Sequence, residues 1–152
     1  MSTDKNALYH ELLLQARGLV DGIDDPIANA ANIAALLWHG LPDLNWSGFY
    51  LAKGDELVLG PFQGKPACVR IPFGKGVCGT AAATRQTQIV ANVHDFPGHI
   101  ACDSASNSEI VIPLVRDGVV LGVLDLDSPS FGRFDAEDAA GLEAIAAVWV
   151  NS

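Results

Sequence analysis

The sequence predicts an α+β domain, and three observations carry that reading. Apolar residues recur at helical spacing at both ends of the chain, alternate with period two through its middle, and form two unbroken runs on either side of Asp117-Gly118. Together these give N- and C-terminal helices on one face of about six mostly antiparallel strands, with ligand-pocket loops on the other face. At 152 residues the chain can bury one real core but not two typical ones, so residues 1–152 are expected to form a single domain.

Thr3 is positioned to cap a first helix, along which Leu8, Leu12, Ala16 and Leu19 share a stripe. Asp24-Asp25-Pro26 reads as the cap and first turn of a second helix, with Ile27, Ala30, Ala31, Ala34 and Leu37 on one face and Gly40 and Pro42 as its stop. From Asn45 the period becomes two. Trp46, Gly48, Tyr50 and Ala52 point one way, Ser47, Phe49 and Leu51 the other. Gly54-Asp55 turns this strand into a second, Glu56 to Leu59, and the glycines and prolines from Gly60 to Pro66 interrupt the pattern. A short strand Cys68 to Ile71, a glycine-rich approach to a short helix at Ala81 to Thr84, and a strand Thr87 to Ala91 follow. Residues 92–108 have no period and read as a long loop of the size that usually has a job. Glu109 to Val115, Asp117-Gly118 and Val119 to Asp127 form the clearest hairpin, its continuous apolar runs marking central strands. Asp135 caps a last helix striped by Leu142, Ile145, Ala146 and Trp149.

Composition narrows the function. A net charge of -9 leaves no basic face for nucleic acid or an anionic membrane. The N-terminus has no signal-peptide pattern, and no apolar run approaches the ~20 residues of a spanning helix, so a cytoplasmic protein is expected. In that compartment an odd number of cysteines, three, is no structural disulfide framework.

Two trios of reactive groups stand out. The thiols are Cys68, Cys78 and Cys102; the carboxyls are Glu109, Asp125 and Asp127. The ordinary reading of a lone cytosolic cysteine is a small buried hydrophobe, and the clustering of three argues against it. Cys102 lies on the long polar loop, where a thiol is placed to react, and Cys78 sits near a helix N-terminus whose dipole favours a thiolate. Asp125 and Asp127 flank Leu126 on one strand face, and the hairpin brings Glu109 close to their level. The plain alternative is a strand end emerging into water. If the three acids converge in a partly buried site, repulsion keeps at least one protonated and able to protonate a leaving oxygen, while its neighbours hold an ammonium. Trp46 and Tyr50 share a strand face, as core packing or as a pocket wall. His94 and His99 match no zinc spacing, and Gly74-Lys75-Gly76 lacks the P-loop spacing, so neither a metal nor a phosphate role is assigned.

Trp46-Ser47-Gly48-Phe49-Tyr50, Leu59-Gly60-Pro61-Phe62-Gln63-Gly64, Gly76-Val77-Cys78-Gly79, the loop around Cys102, Glu109-Ile110-Val111-Ile112-Pro113 and Leu121 through Ser128 together resemble the free methionine-(R)-sulfoxide reductases, enzymes built on a single GAF domain. The resemblance implies that Cys102 is the attacking thiol, Cys68 the resolving thiol and Cys78 an auxiliary thiol able to exchange with the first disulfide. It implies that Glu109, Asp125 and Asp127 hold the sulfoxide oxygen and amino group of the substrate, with Trp46 and Tyr50 around its methyl end. It further implies a thioredoxin-type reductant, no metal or organic cofactor, and a homodimer paired through terminal helices. Two other readings share the fold: a non-catalytic module binding a small ligand such as a cyclic nucleotide, and a thiol redox sensor oxidised directly by peroxide. Against the module, no output domain is expected within these 152 residues, and they do not show the residue pattern of cyclic-nucleotide GAF domains.

Overall fold

The computed structural model describes residues 4–99 and 105–152. Its elements follow in the order α1 (Lys5–Val20), α2 (Pro26–Gly40), β1 (Trp46–Lys53), β2 (Glu56–Gly64), β3 (Arg70–Pro72), α3 (Gly76–Thr84), β4 (Gln88–Val90), β5 (Ser108–Arg116), β6 (Val119–Ser128) and α4 (Ala136–Val150), with a 3-10 turn at Val93–Asp95 after β4. All the pairings are antiparallel, and the sheet runs β3-β2-β1-β6-β5-β4. No helix among the described residues is long and apolar enough to cross a membrane.

The alternation in β1 sorts the two faces. Phe49 packs with Ile110, Ile112, Leu114, Leu124 and Leu126 beneath the apolar stripes of α1, α2 and α4. Most of these side chains are fully buried, each contributing about 1.5–3 kcal/mol by leaving water. Ser47 shares that face and donates to the Ala34 carbonyl of α2. Trp46, Tyr50, Val111 and Val123 point to the opposite face, which α3 and the segments around it cover.

Local chemistry sets the boundaries, in places not where the periodicity predicts. Thr3 lies outside the described residues, and the cap of α1 is Asp4, whose carboxylate accepts from Ala7 N. Asp25 and Asp135 cap α2 and α4 as expected, the latter in a reciprocal box with Asp138. The second strand does not end at Leu59. A bulge opposite Phe49 absorbs the Gly60-Pro61 pair and lets pairing resume at Phe62↔Gly48. The third strand starts two residues later than expected, at Arg70, and α3 starts at Gly76 instead of Ala81, so that Cys78 sits in its first turn. In the last hairpin Asp117 and Gly118 both have positive φ, 53° and 77°, the two-residue turn that matches strand twist.

Helix α4 is fastened to α1 by one buried acid. Asp138, 1 % exposed, accepts from Tyr9 Oη at 2.6 Å, Lys5 Nζ at 2.7 Å and its own cap backbone at 2.9 Å. Burial, followed by this contact, pushes the Tyr9 phenol well up. The helices approach so closely at Gly141 that a methyl there would overlap the Tyr9 ring. Replacing Asp138 by Asn strands buried donors at this junction, and the expected loss is about 3 kcal/mol of unfolding free energy, read from the urea midpoint.

Candidate functional site

Register brings the acids to one place. Glu109 on β5 pairs with Asp127 on β6, which pairs in turn with Trp46 on β1; one step along, Val111, Asp125 and Gly48 form the next row. This depends on an irregularity. Counted back from the turn pair Arg116↔Val119, Glu109 would face Leu126 and join the helical core, but a shift between Leu114 and Val115 moves the pairing by one residue. Gly122 sits at that shift with φ 156°, against the Tyr50 carbonyl of β1 where a methyl would overlap. A glycine is therefore required to turn Glu109 toward the acids.

The aromatic wall stands on the neighbouring strand. Trp46 stacks on Tyr50 with ring centroids 5.7 Å apart and on Phe62 of β2 at 5.1 Å. Gly48 lies beneath, and a side chain there would run into Phe62 and Trp46. Both polar tips are held: Trp46 Nε1 donates to the Lys65 carbonyl at 3.1 Å, and Tyr50 Oη to the Cys68 carbonyl at 2.9 Å. The rings are thereby fixed as a rigid surface.

Helix α3 supplies the third side. Gly79 packs so tightly on the end of β3 that a Cβ would lie 2.5 Å from the Pro72 carbonyl. That close approach sets Cys78 over the sheet, its Sγ donating to Glu109 Oε2 at 3.8 Å. Cys78, Glu109 and Asp125 then line one narrow cavity of about 40 Å³ with Trp46, Tyr50 and Asp127.

Burial governs the chemistry. Cys78, Glu109 and Asp125 are 5 %, 7 % and 4 % exposed. Desolvation pushes the Glu109 carboxyl well up, and the nearby Asp125 charge adds to it. Asp125 is raised by desolvation and then by Asp127. Three acids this close cannot all ionise at neutral pH, so the cavity holds a carboxylic acid beside a carboxylate. The Cys78 thiol is likewise pushed up by burial, with Asp125 and Glu109 adding to the effect. The helix N-terminus expected to favour its thiolate is outweighed, and the thiol is protonated.

Six of the eight site residues expected from sequence line this cavity: Trp46, Tyr50, Cys78, Glu109, Asp125 and Asp127. Cys68, disulfide-bonded and partly buried, is joined to it through the Tyr50 hydroxyl. Cys102 lies outside the described residues. The wall also includes Lys75, His99 and Ser106, which sequence reasoning left out. His99 is held toward the neutral form, first by desolvation and then by His94. No spacing marks these three, since each reaches the cavity from a turn or loop.

Comparison with known proteins places this geometry. A family model described as GAF domain matches residues 31–148. The free methionine-R-sulfoxide reductase of Escherichia coli is 55% identical over 144 residues, covering 95% of this chain and 87% of that protein. The Saccharomyces cerevisiae protein of the same name is 48% identical over 151 residues, covering 94% and 84%. The X-ray structure of free methionine-R-sulfoxide reductase from Neisseria meningitidis in complex with its substrate superposes with a TM-score of 0.95 at 48% identity, covering 99% of this chain and 91% of that one.

Proposed function

The chain belongs to the GAF domain family, among its free methionine-R-sulfoxide reductases, and we propose that it reduces free L-methionine-(R)-sulfoxide to methionine. The observation that carries the reading is the buried cluster of Glu109, Asp125 and Asp127 against the wall of Trp46 and Tyr50. An ionised acid there holds an ammonium, a protonated one donates to a sulfoxide oxygen, and the rings take the methyl end. A peptide-bound methionine lacks the free ammonium. That selects the free amino acid.

In this mechanism the thiolate of Cys102 attacks the sulfoxide sulfur while a carboxylic acid of the cluster protonates the oxygen. The oxygen passes to the thiol, giving a sulfenic acid on Cys102 and free methionine. Cys68 attacks the sulfenic acid, forming a disulfide and releasing water, and a thioredoxin-type dithiol reduces that disulfide by exchange. Cys78 is an auxiliary thiol that exchanges with the first disulfide. The protein acts as a single-domain cytoplasmic homodimer, with no metal or organic cofactor in the cycle.

The test is NADPH oxidation coupled through thioredoxin and its reductase, with the free (R) form, the free (S) form and a peptide sulfoxide in parallel. Turnover of the free (R) form alone is expected; turnover of none, with dithiothreitol also failing, removes the reading. The same assay carries a pH prediction. The acid must be protonated, so kcat/KM falls as pH rises through the raised pKa of the cluster. Asp127→Asn removes a charge that raises Asp125, so the falling limb is expected to move to lower pH in that variant.

A further inference from the structure

Cys78 sits among the acids as a protonated thiol, and its surroundings fit a second kind of ligand. Cys78, Glu109 and Asp125 each present one ligand atom, all lying within 4.8 Å of one another. In a tetrahedral zinc site, with Zn–S about 2.3 Å and Zn–O about 2.0–2.2 Å, sulfur and oxygen ligands stand roughly 3.5 Å apart. Cys78 Sγ and Glu109 Oε2 are 3.8 Å apart, close to that spacing, and with all three ligand atoms within 4.8 Å of one another a cation among them requires side-chain movements of at most about 1.3 Å. A separate observation points to the same place. Asp125 lines the cavity at 4 % exposure with Cys78, Glu109 and Asp127 as its side-chain neighbours, and its Oδ1 is buried outside hydrogen-bond geometry with any fixed donor. Such an oxygen is costly unless something electropositive meets it.

We propose that Cys78, Glu109 and Asp125 form a site for one borderline divalent cation of the Zn²⁺ class, and that its occupancy blocks the cavity. One thiolate with two carboxylates selects Zn²⁺ or Co²⁺ over Mg²⁺ and Ca²⁺, which take all-oxygen shells. Binding displaces the thiol proton and the acid protons to solvent. The fourth position stays open to water. The bound ion cancels the negative charge that would hold an ammonium and removes the acid that would protonate the sulfoxide. It acts as an inhibitor, not a cofactor. That consequence rests on the reductase reading; the cation site itself does not.

The test uses the full chain with Cys68→Ser and Cys102→Ser, which leaves Cys78 as its sole cysteine. Titration with Co²⁺ is expected to give a thiolate-to-cobalt charge-transfer band that saturates at one equivalent and is displaced by Zn²⁺. Adding Cys78→Ser should abolish the band, and Asp125→Asn or Glu109→Gln should weaken binding at least tenfold. Absence of the band, or a band unmoved by both carboxylate variants, overturns the proposal. In the three-cysteine protein, kept reduced, Zn²⁺ is expected to inhibit sulfoxide reduction with relief by added sulfoxide; turnover unaffected by a Zn²⁺ concentration that saturates the site overturns the blocking role. A normal cobalt band in a protein that reduces no sulfoxide supports the cation site and removes the reductase reading alone.

Discussion

Replacing Asp125 by Asn is expected to lower kcat/KM for free methionine-(R)-sulfoxide by about 10²–10⁴-fold, the range for losing a positioned general acid or a charge-assisted contact, and at the same time to raise thermal stability at neutral pH. The two effects have one origin. Asp125 is buried beside the Glu109–Asp127 pair, and its pKa is raised first by desolvation and then by Asp127. A carboxyl with a folded-state pKa above its unfolded value binds more protons when folded. Its stabilising contribution is therefore complete below the unfolded value, near pH 4, and is lost as pH rises through the folded value. At pH 7–8 the wild-type chain bears that cost and the asparagine variant does not. The Tm of the variant should exceed that of wild type by a few degrees at pH 8, about 2–4 °C for each kcal/mol in a chain of this size, and the gap should close as pH falls toward 4. A purely structural role for Asp125 predicts the reverse, a variant less stable at every pH. The crossing of activity and stability, followed by kinetics and by thermal melts across pH, separates the two.

The same residues show what the amino-acid order reveals about the site. Alternation in β1 is enough to put Trp46 and Tyr50 on one face and Phe49 on the other, because a strand has a period of two and both faces are covered. Asp125 and Asp127 follow from the same rule on β6. Glu109 does not. Its pairing with Asp127 turns on the one-residue shift at Leu114/Val115, and plain counting from Asp117-Gly118 would bury it among leucines. A bulge leaves only a glycine as its mark, and Gly122 resembles any other glycine in a strand until the Tyr50 carbonyl is seen against it. The length of β2 was hidden likewise, because Gly60-Pro61 reads as a break and is accommodated as a bulge on a stretch that β3 does not pair with. The expected thiolate at Cys78 failed for an energetic reason. The helix dipole favouring ionisation is visible in sequence, whereas the burial and the three carboxyls opposing it come together only in the folded chain. Lys75, His99 and Ser106 reach the cavity from turns and loops, where neither period nor register constrains placement.

Cys102→Ser is expected to reduce turnover to background, at least 10³-fold below wild type, with either thioredoxin or dithiothreitol as reductant, because serine supplies no nucleophile able to take oxygen from the sulfoxide. Cys68→Ser is expected to behave differently, and the contrast tests the order of the thiols. With Cys68 absent, Cys102 can still accept oxygen once, so each chain should release one equivalent of methionine and stop as the sulfenic acid, trappable with dimedone. Dithiothreitol, small enough to reach the sulfenic acid directly, should restore slow multiple turnover; thioredoxin, which requires a disulfide to attack, should restore much less. Cys78→Ser should retain single-turnover methionine release at near wild-type extent, because burial, and after it the neighbouring acids, hold its thiol protonated and make it a poor nucleophile in the first step. Quenched-flow methionine release and mass spectrometry of the trapped adduct distinguish these outcomes. One equivalent of methionine from Cys102→Ser would transfer the attacking role to another thiol, and multiple thioredoxin-driven turnovers in Cys68→Ser would show that Cys78 resolves the sulfenic acid in its place.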